Sequence, residues 1–131
     1  MDLLLDSAVY IGLMRAGKDP RQVLAPYLRA GRLYNCGVVR SEVLRGTKEP
    51  KRYEQLEQFF DIIPEVPTDP RLWRHVSKIG WDLGRKGKWP PVTDLTIAAC
   101  AMRARLTLIS PDAHFEDVEG LKLRKELPEM S

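Results

Sequence analysis

The sequence predicts an α/β protein built on a parallel, doubly wound sheet, and three observations point to it. Short apolar runs suited to strands alternate with longer stretches of helical apolar period. That alternation is the mark of βα units, whose crossovers leave neighbouring strands parallel. The first run, LLL at 3–5, has no polar residue in it, as expected of a strand buried on both faces. The length, 131 residues, suits one compact domain with its own core.

The elements follow in order. LLL is the first strand. VYIGLMRAG (9–17) reads as a helix stopped by glycine. Asp19 and Pro20 resemble an N-cap and first-turn pair. They open a second helix that Pro26 should kink or shorten. RLYNCG (32–37) is the second strand, and VVRSEVLRG (38–46) a short helix ending at Gly46. Residues 51–59 form a charged amphipathic helix, and FDIIPEV (60–66) a third strand truncated by Pro64. Thr68, Asp69 and Pro70 cap a longer helix through Arg85, with Trp73, Val76, Ile79, Gly80 and Leu83 on one face. GRKGKWPP (84–91) is a basic loop, and Thr93–Arg103 a helix. LTLI (106–109) is the fourth strand, SPDAHFED (110–117) a turn-rich loop, and 121–123 a short edge strand.

Composition excludes several classes. With 44% hydrophobic and 30% charged residues, the chain is neither disordered nor collagen-like. A net charge of +3 permits a nucleic-acid partner without requiring one. No apolar stretch approaches the ~20 residues of a membrane span, and LLL is too short for a signal-peptide core. The expectation is a cytoplasmic protein with no membrane association. Cys36 and Cys100 lack zinc or redox spacing and read as buried thiols. The chain has no GxSxG, GxxxxGK[ST] or GxGxxG motif. His75 reads as structural or exposed. His114 could touch phosphate, but reads first as a solvent-facing loop histidine.

The acids are more telling. In a doubly wound sheet, functional residues gather at the carboxyl ends of strands and at the helix starts beyond them. Asp6 follows the first strand and Asp112 the fourth. Either alone is also accounted for as a helix cap or turn aspartate. Asp94 shares a helix face with Ile97, Ala98 and Ala101, which places it on or near the buried side. A first-turn acid favoured by the helix dipole is the other account of it. Glu42 shares a face with Val38 and Val39, and alone would pass for a surface glutamate paired with Arg45 or Lys48.

As a set, the four acids would meet in one cleft. Two ionised carboxylates about 5 Å apart repel by roughly 3 kcal/mol at an effective dielectric near 20. Such a cluster calls for a counter-charge, and Mg²⁺ or Mn²⁺ with oxygen ligands is the natural one. That arrangement polarises a phosphodiester, activates a water and stabilises the leaving oxygen. The apolar first strand would then hold Asp6 rigidly for the ion.

Taken in order, LLLDSAVYI, SEVLRG, PPVTDLTIAACAM and LTLISPDAHFEDVEGLKL resemble the PIN-domain ribonucleases, especially the VapC-type toxins of prokaryotic toxin–antitoxin pairs. The resemblance spans essentially the whole chain. It implies a PIN-like three-layer α/β/α sandwich over residues 1–131, with a central, mainly parallel sheet of strand order 3-2-1-4-5. It implies that Asp6, Glu42, Asp94 and Asp112 hold Mg²⁺ or Mn²⁺. Ser7 matches a hydroxyl residue after the first acid, and Ser110 a residue that orients the site. It further implies endonucleolytic cleavage of RNA, often a tRNA or rRNA, a homodimer, and a small VapB-type antitoxin that occludes the site. Ala8 departs from the asparagine common at that position. Asp112 fits an acid three residues before Phe115, though Glu116 and Asp117 could share or take its role.

Arg85, Lys86 and Lys88 lie before Asp94, and Arg103 and Arg105 beyond its helix. They could meet RNA phosphates, or form a solvated surface. Trp89 could stack a base, with a core or dimer-interface tryptophan as the first reading. The expected function is a metal-dependent endoribonuclease toxin that leaves a 5′-phosphate and a 3′-hydroxyl. A housekeeping RNA-processing nuclease and a catalytically silent metal- or RNA-binding PIN domain are the alternatives. A receiver-like phospho-acceptor is disfavoured, since Ser7, Ala8 and Val9 follow Asp6 where a second acid would be wanted. A haloacid-dehalogenase phosphatase would need an aspartate in place of Ala8.

Overall fold

The structure is a computed structural model and describes residues 1–130. The strands are β1 (Leu3–Leu5), β2 (Leu33–Cys36), β3 (Glu65–Val66), β4 (Thr107–Ile109) and β5 (Leu123–Arg124). The helices are α1 (Ser7–Arg15), α2 (Pro20–Arg29), α3 (Gly37–Arg45), α4 (Pro50–Asp61), α5 (Pro70–Arg85) and α6 (Val92–Arg103). The five strands stand in the order β3-β2-β1-β4-β5. Every neighbouring pair is parallel, so the sheet is wholly rather than mainly parallel.

The order places β1 at the centre, and its side chains show why. Leu3, Leu4 and Leu5 are all fully buried. Successive strand residues point to opposite faces, so both faces of the sheet are covered by helices. Each leucine contributes about 1.5–3 kcal/mol by leaving water. The chain winds from β1 to β2 to β3, and α5 and α6 then carry it back past β1 to β4. The winding reverses between β1 and β4, and their carboxyl ends open the crevice where this architecture builds its sites. The pairing brings Leu5 opposite Ile109. Asp6 N–H donates to the Ile109 carbonyl at 3.0 Å, which sets Asp6 and Ser110 side by side.

Several boundaries differ from the expectation. α1 starts at Ser7, α3 at Gly37 and α6 at Val92, each slightly earlier than expected. Phe60 and Asp61 finish α4 rather than starting β3. The reason is the buried face of Leu56, Phe59 and Phe60, a helical spacing that overrides the strand-like FDII run. β3 keeps only Glu65 and Val66. The turn-rich loop contains a short 3₁₀ helix, Ala113–Asp117, and β5 lies at Leu123–Arg124 rather than 121–123. α2 runs on through Pro26 to Arg29. Pro26 and Gln22 are both exposed, so water can satisfy the Gln22 carbonyl that loses its helical partner. Cys36 and Cys100 are free and buried, as expected.

Helix ends also follow local chemistry. α1 closes with Gly17 at φ +75°, where Gly17 N–H reaches Met14 O and Lys18 N–H reaches Leu13 O. That left-handed cap suits glycine. α6 closes the same way, with Arg105 N–H to Met102 O and Leu106 N–H to Ala101 O. There the left-handed position, φ 57°, is held by an arginine.

Candidate active site

Asp6 ends the central strand and occupies the N-cap position of α1, yet its side chain makes no capping hydrogen bond. The carboxylate instead accepts the Ser110 hydroxyl at Oδ2, at 2.8 Å. Ser110 is buried at the end of β4, and its oxygen also accepts the Asp112 N–H at 3.0 Å. The hydroxyl is therefore spent on joining two acids from one strand end. Ser7 Oγ lies 3.2 Å from Glu42 Oε1 and 3.5 Å from Asp6 Oδ1. The shorter contact, to Glu42, is the better hydrogen bond. Ser7 thus ties α1 to the acid on α3.

On the other side, Asp94 sits in the first turn of α6. Its Oδ2 lies 3.0 Å from His114 Nδ1, and Asp112 Oδ1 lies 3.4 Å from the same nitrogen. The 3₁₀ turn after β4 makes this possible. Asp112 caps it through the His114 N–H, at 2.9 Å, and the turn swings the imidazole back over α6. Asp94, Asp112 and His114 each offer one ligand atom, all within 4.8 Å of one another.

The electrostatics agree with one shared neighbourhood. Burial pushes the Asp6 carboxyl above its ordinary range, the Ser110 hydrogen bond opposes this, and the charges of Asp94 and Glu42 add to the rise. His114 is raised by its hydrogen bond to Asp94 and by the charge of Asp112. A protonated imidazole there offsets part of the carboxylate repulsion. The carboxylate oxygens of Asp94 and Asp112, with Asp6 beside them, are hard donors that suit Mg²⁺ or Mn²⁺, so the side chains present fit a divalent ion.

The structure thus gathers Asp6, Glu42, Asp94 and Asp112 around the β1–β4 crevice, with Ser7 and Ser110 between them. Glu42 accepts from Ser7 and not from the surface cations weighed for it. Asp112 meets the group through Ser110 and His114. Glu116 and Asp117 turn to Lys125 and Lys88, at 3.9 Å and 2.6 Å. His114 is the residue that sequence reasoning undervalued. Its one signal was position, two residues beyond Asp112 in a turn-forming loop.

The basic residues behave differently from one another. Arg103 is held by the Asp69 carboxylate at 2.9 and 2.5 Å, and by the Pro67 carbonyl at 3.1 Å. It stands nine residues beyond Asp94 on α6, about 13 Å along the axis. Arg103 therefore fastens α6 to the start of α5. Arg85 lies over the Trp81 ring, 4.5 Å from its centroid. Lys86 caps the C-terminus of α5, and Lys88 pairs with Asp117 beside the site. Trp89 is 74% exposed, so it is not a core tryptophan.

Comparison with known proteins follows the same lines. The family model described as PIN domain matches residues 3–121. Ribonuclease VapC6 of Mycobacterium tuberculosis (strain ATCC 25618 / H37Rv) is 28% identical over 88 residues, covering 65% of this chain and 69% of that protein. DNA-bound VapBC from Salmonella typhimurium superposes with a TM-score of 0.78 at 20% identity, covering 95% of this chain and 97% of that one. VapBC2 from Rickettsia felis, bound to a fragment of its promoter, gives 0.77 at 17% identity, covering 95% and 98%. FitAcB from Neisseria gonorrhoeae gives 0.68 at 20% identity, covering 92% and 95%. At these identities the solved structures speak for the fold.

Proposed function

This chain belongs to the PIN-domain family, and from that premise we propose that it is a divalent-metal-dependent endoribonuclease, the toxin of a VapBC-type pair. The observation that carries the reading is the meeting of Asp94, Asp112 and His114 within 4.8 Å, beside the buried Asp6 that Ser110 ties to the same strand end. The likeness to a protein named as a ribonuclease supports RNA as the substrate. The likeness to VapBC complexes supports a VapB-type antitoxin as partner. A tRNA or rRNA target, a homodimer, a single domain over 1–131 and action in the cytoplasm belong to the same proposal. Among the described residues no helix is long and apolar enough to cross a membrane.

Asp6, Glu42, Asp94 and Asp112 would hold the ion, with His114 bonded to Asp94 at its edge. Mg²⁺ or Mn²⁺, when bound, supplies Lewis-acid polarisation of the phosphodiester and lowers the pKa of water. The chain's residues do the rest. Ser110 holds the Asp6 carboxylate in one orientation, and Ser7 steadies Glu42. His114 turns Nδ1 to Asp94, which leaves Nε2 able to donate to a phosphate oxygen. The apolar strand behind Asp6 keeps water from that side of the cleft.

The test is cleavage of total cellular RNA by purified protein freed of any co-purifying partner. It is run with Mn²⁺ or Mg²⁺, with EDTA, and with Asp94→Asn. Discrete fragments that vanish with EDTA and in the variant are expected. A folded protein that binds Mn²⁺ but cuts nothing would favour a binding-only PIN domain, and failure to bind Mn²⁺ would overturn the carboxylate-site reading. A reading frame for a small DNA-binding protein beside this gene separates the toxin from a housekeeping nuclease.

A further inference from the structure

Beside the acids lies a pocket of about 340 Å³ that reaches from His114 to Trp89. Leu83, Trp89, Pro90 and His114 line it, together with the paired Lys88 and Asp117. We propose that this pocket is a base-binding subsite, which takes an unpaired RNA nucleotide flanking the bond to be cut. The proposal rests on the endoribonuclease reading above and adds to it how the RNA is held.

Three observations carry it. The first is the seat of Trp89. Its ring lies against Gly84 on α5, so close that a Cβ there would come within 2.7 Å of Cη2. Glycine thus lets the indole pack on the helix with one side, while the residue as a whole stays 74% exposed. A large aromatic on a protein surface, backed by a helix rather than covered, is what a stacked base needs. The second is position. His114 lines this pocket and also bonds Asp94, so a base here leaves its own phosphate beside the acids. The third is charge. The Lys88–Asp117 pair, at 2.6 Å, removes the repulsion that Asp117 would exert on a phosphate. Lys88 and His114 line the pocket beside the indole, and that pairing of basic side chains with an aromatic face suits a single strand. An aliphatic ligand would use the leucine and proline, but neither the exposed indole face nor His114.

The test uses the fluorescence of Trp89. The chain has three tryptophans. Trp73→Phe with Trp81→Phe leaves Trp89 as the one emitter in the full-length protein. An eight-nucleotide oligoadenylate is added in EDTA, and beside it an abasic ribose-phosphate oligomer of equal length. The adenylate should quench the emission, and the abasic oligomer should not. Trp89→Ala should weaken oligoadenylate binding about tenfold, read by anisotropy of a labelled oligomer, with Trp89→Phe near wild type. Gly84→Ala should displace the ring and reproduce the loss. Equal quenching by both oligomers, quenching by neither, or quenching that depends on protein concentration without RNA would overturn the proposal. The last outcome would assign the indole to contact with a second copy. Metal-dependent RNA cleavage by the same tryptophan variant separates the two ideas. Cleavage without base-dependent quenching removes only the subsite, and quenching without cleavage keeps the subsite and removes the nuclease.

Discussion

The Ser110 hydroxyl donates to Asp6 across 2.8 Å while accepting the Asp112 N–H at 3.0 Å. One buried side chain thus sets the relative position of acids that stand 106 residues apart in sequence (6 and 112). Adjacent parallel strands make the bridge possible, since Leu5 and Ile109 are paired and the next residues of each strand emerge together. Ser110→Ala removes the donor and leaves a backbone N–H without its partner. Residues that orient metal ligands typically carry 10–100-fold in affinity or activity. We therefore expect Ser110→Ala to raise the Mn²⁺ concentration needed for half-maximal RNA cleavage by roughly tenfold or more, with Ser110→Thr largely restored. An unchanged Mn²⁺ dependence in a folded Ser110→Ala protein would remove Ser110 from the site.

Asp6→Asn should abolish cleavage and yet stabilise the metal-free protein. The Asp6 pKa is raised, chiefly by burial. A raised carboxyl makes its ionised form costly in the fold, and that cost grows as pH climbs from the ordinary value of 3.8 through the folded one. Asparagine removes it and still accepts the Ser110 hydroxyl. In EDTA the variant should melt about 2–5 °C higher than wild type. With Mn²⁺ added, the wild type should gain stability by mass action and the variant should not. Thermal melts of both proteins, with and without Mn²⁺, check this. A lower melting point for metal-free Asp6→Asn would mean that the buried, ionised carboxylate carries no net cost in the fold.

Much of this was legible in the sequence, and the rest has physical reasons. The LLL run and Asp6 were readable because a strand buried on both faces needs continuous apolar residues, and strand ends are where such sheets place their chemistry. Glu42, Asp94 and Asp112 were readable as members of the set but ambiguous alone. Each also suits a cap or a surface, and only contacts with Ser7, His114 and Ser110 show that they stand together. His114 was hidden because its partner Asp94 lies 20 residues away, joined by a turn that no periodicity reveals. The partner of Arg103 was hidden in the same way. A terminal arginine on a helix looks free until α5 brings Asp69 to it. Phe60 looked like a strand residue because aromatic and β-branched runs favour strands locally, whereas its burial with Leu56 and Phe59 follows the helix.

The Asp69–Arg103 pair should make stability fall in acid. The Arg103 guanidinium beside it, with the Leu72 N–H, holds Asp69 down to about 2 from an ordinary 3.8. The folded value is the lower one, so the contribution is complete above about 3.8 and is lost as pH falls toward about 2. Asp69→Asn keeps an oxygen for the cap at Leu72 and removes the titration. Urea unfolding between pH 2.5 and 6 should therefore show a steeper acid decline for wild type than for Asp69→Asn. Parallel curves would mean that the pair is not maintained in solution.

Arg105→Gly should stabilise the protein. Arg105 holds a left-handed backbone at φ 57°, at the position where α1 and α5 place Gly17 and Gly87, each at φ +75°. The two hydrogen bonds that close α6 run through the backbone of Arg105 and Leu106, so the side chain contributes nothing to them. An L residue with a Cβ is disfavoured in this region by roughly 1–2 kcal/mol, and glycine's greater freedom in the unfolded chain returns part of that. The net expectation is a gain of about 0.5–1 kcal/mol, or roughly 2–5 °C for a chain of this length. Differential scanning calorimetry measures it directly. Arg105→Ala is the control: it keeps the Cβ and should gain nothing from relief of strain. If alanine stabilises as much as glycine, the benefit comes from removing a positive charge and the backbone argument fails.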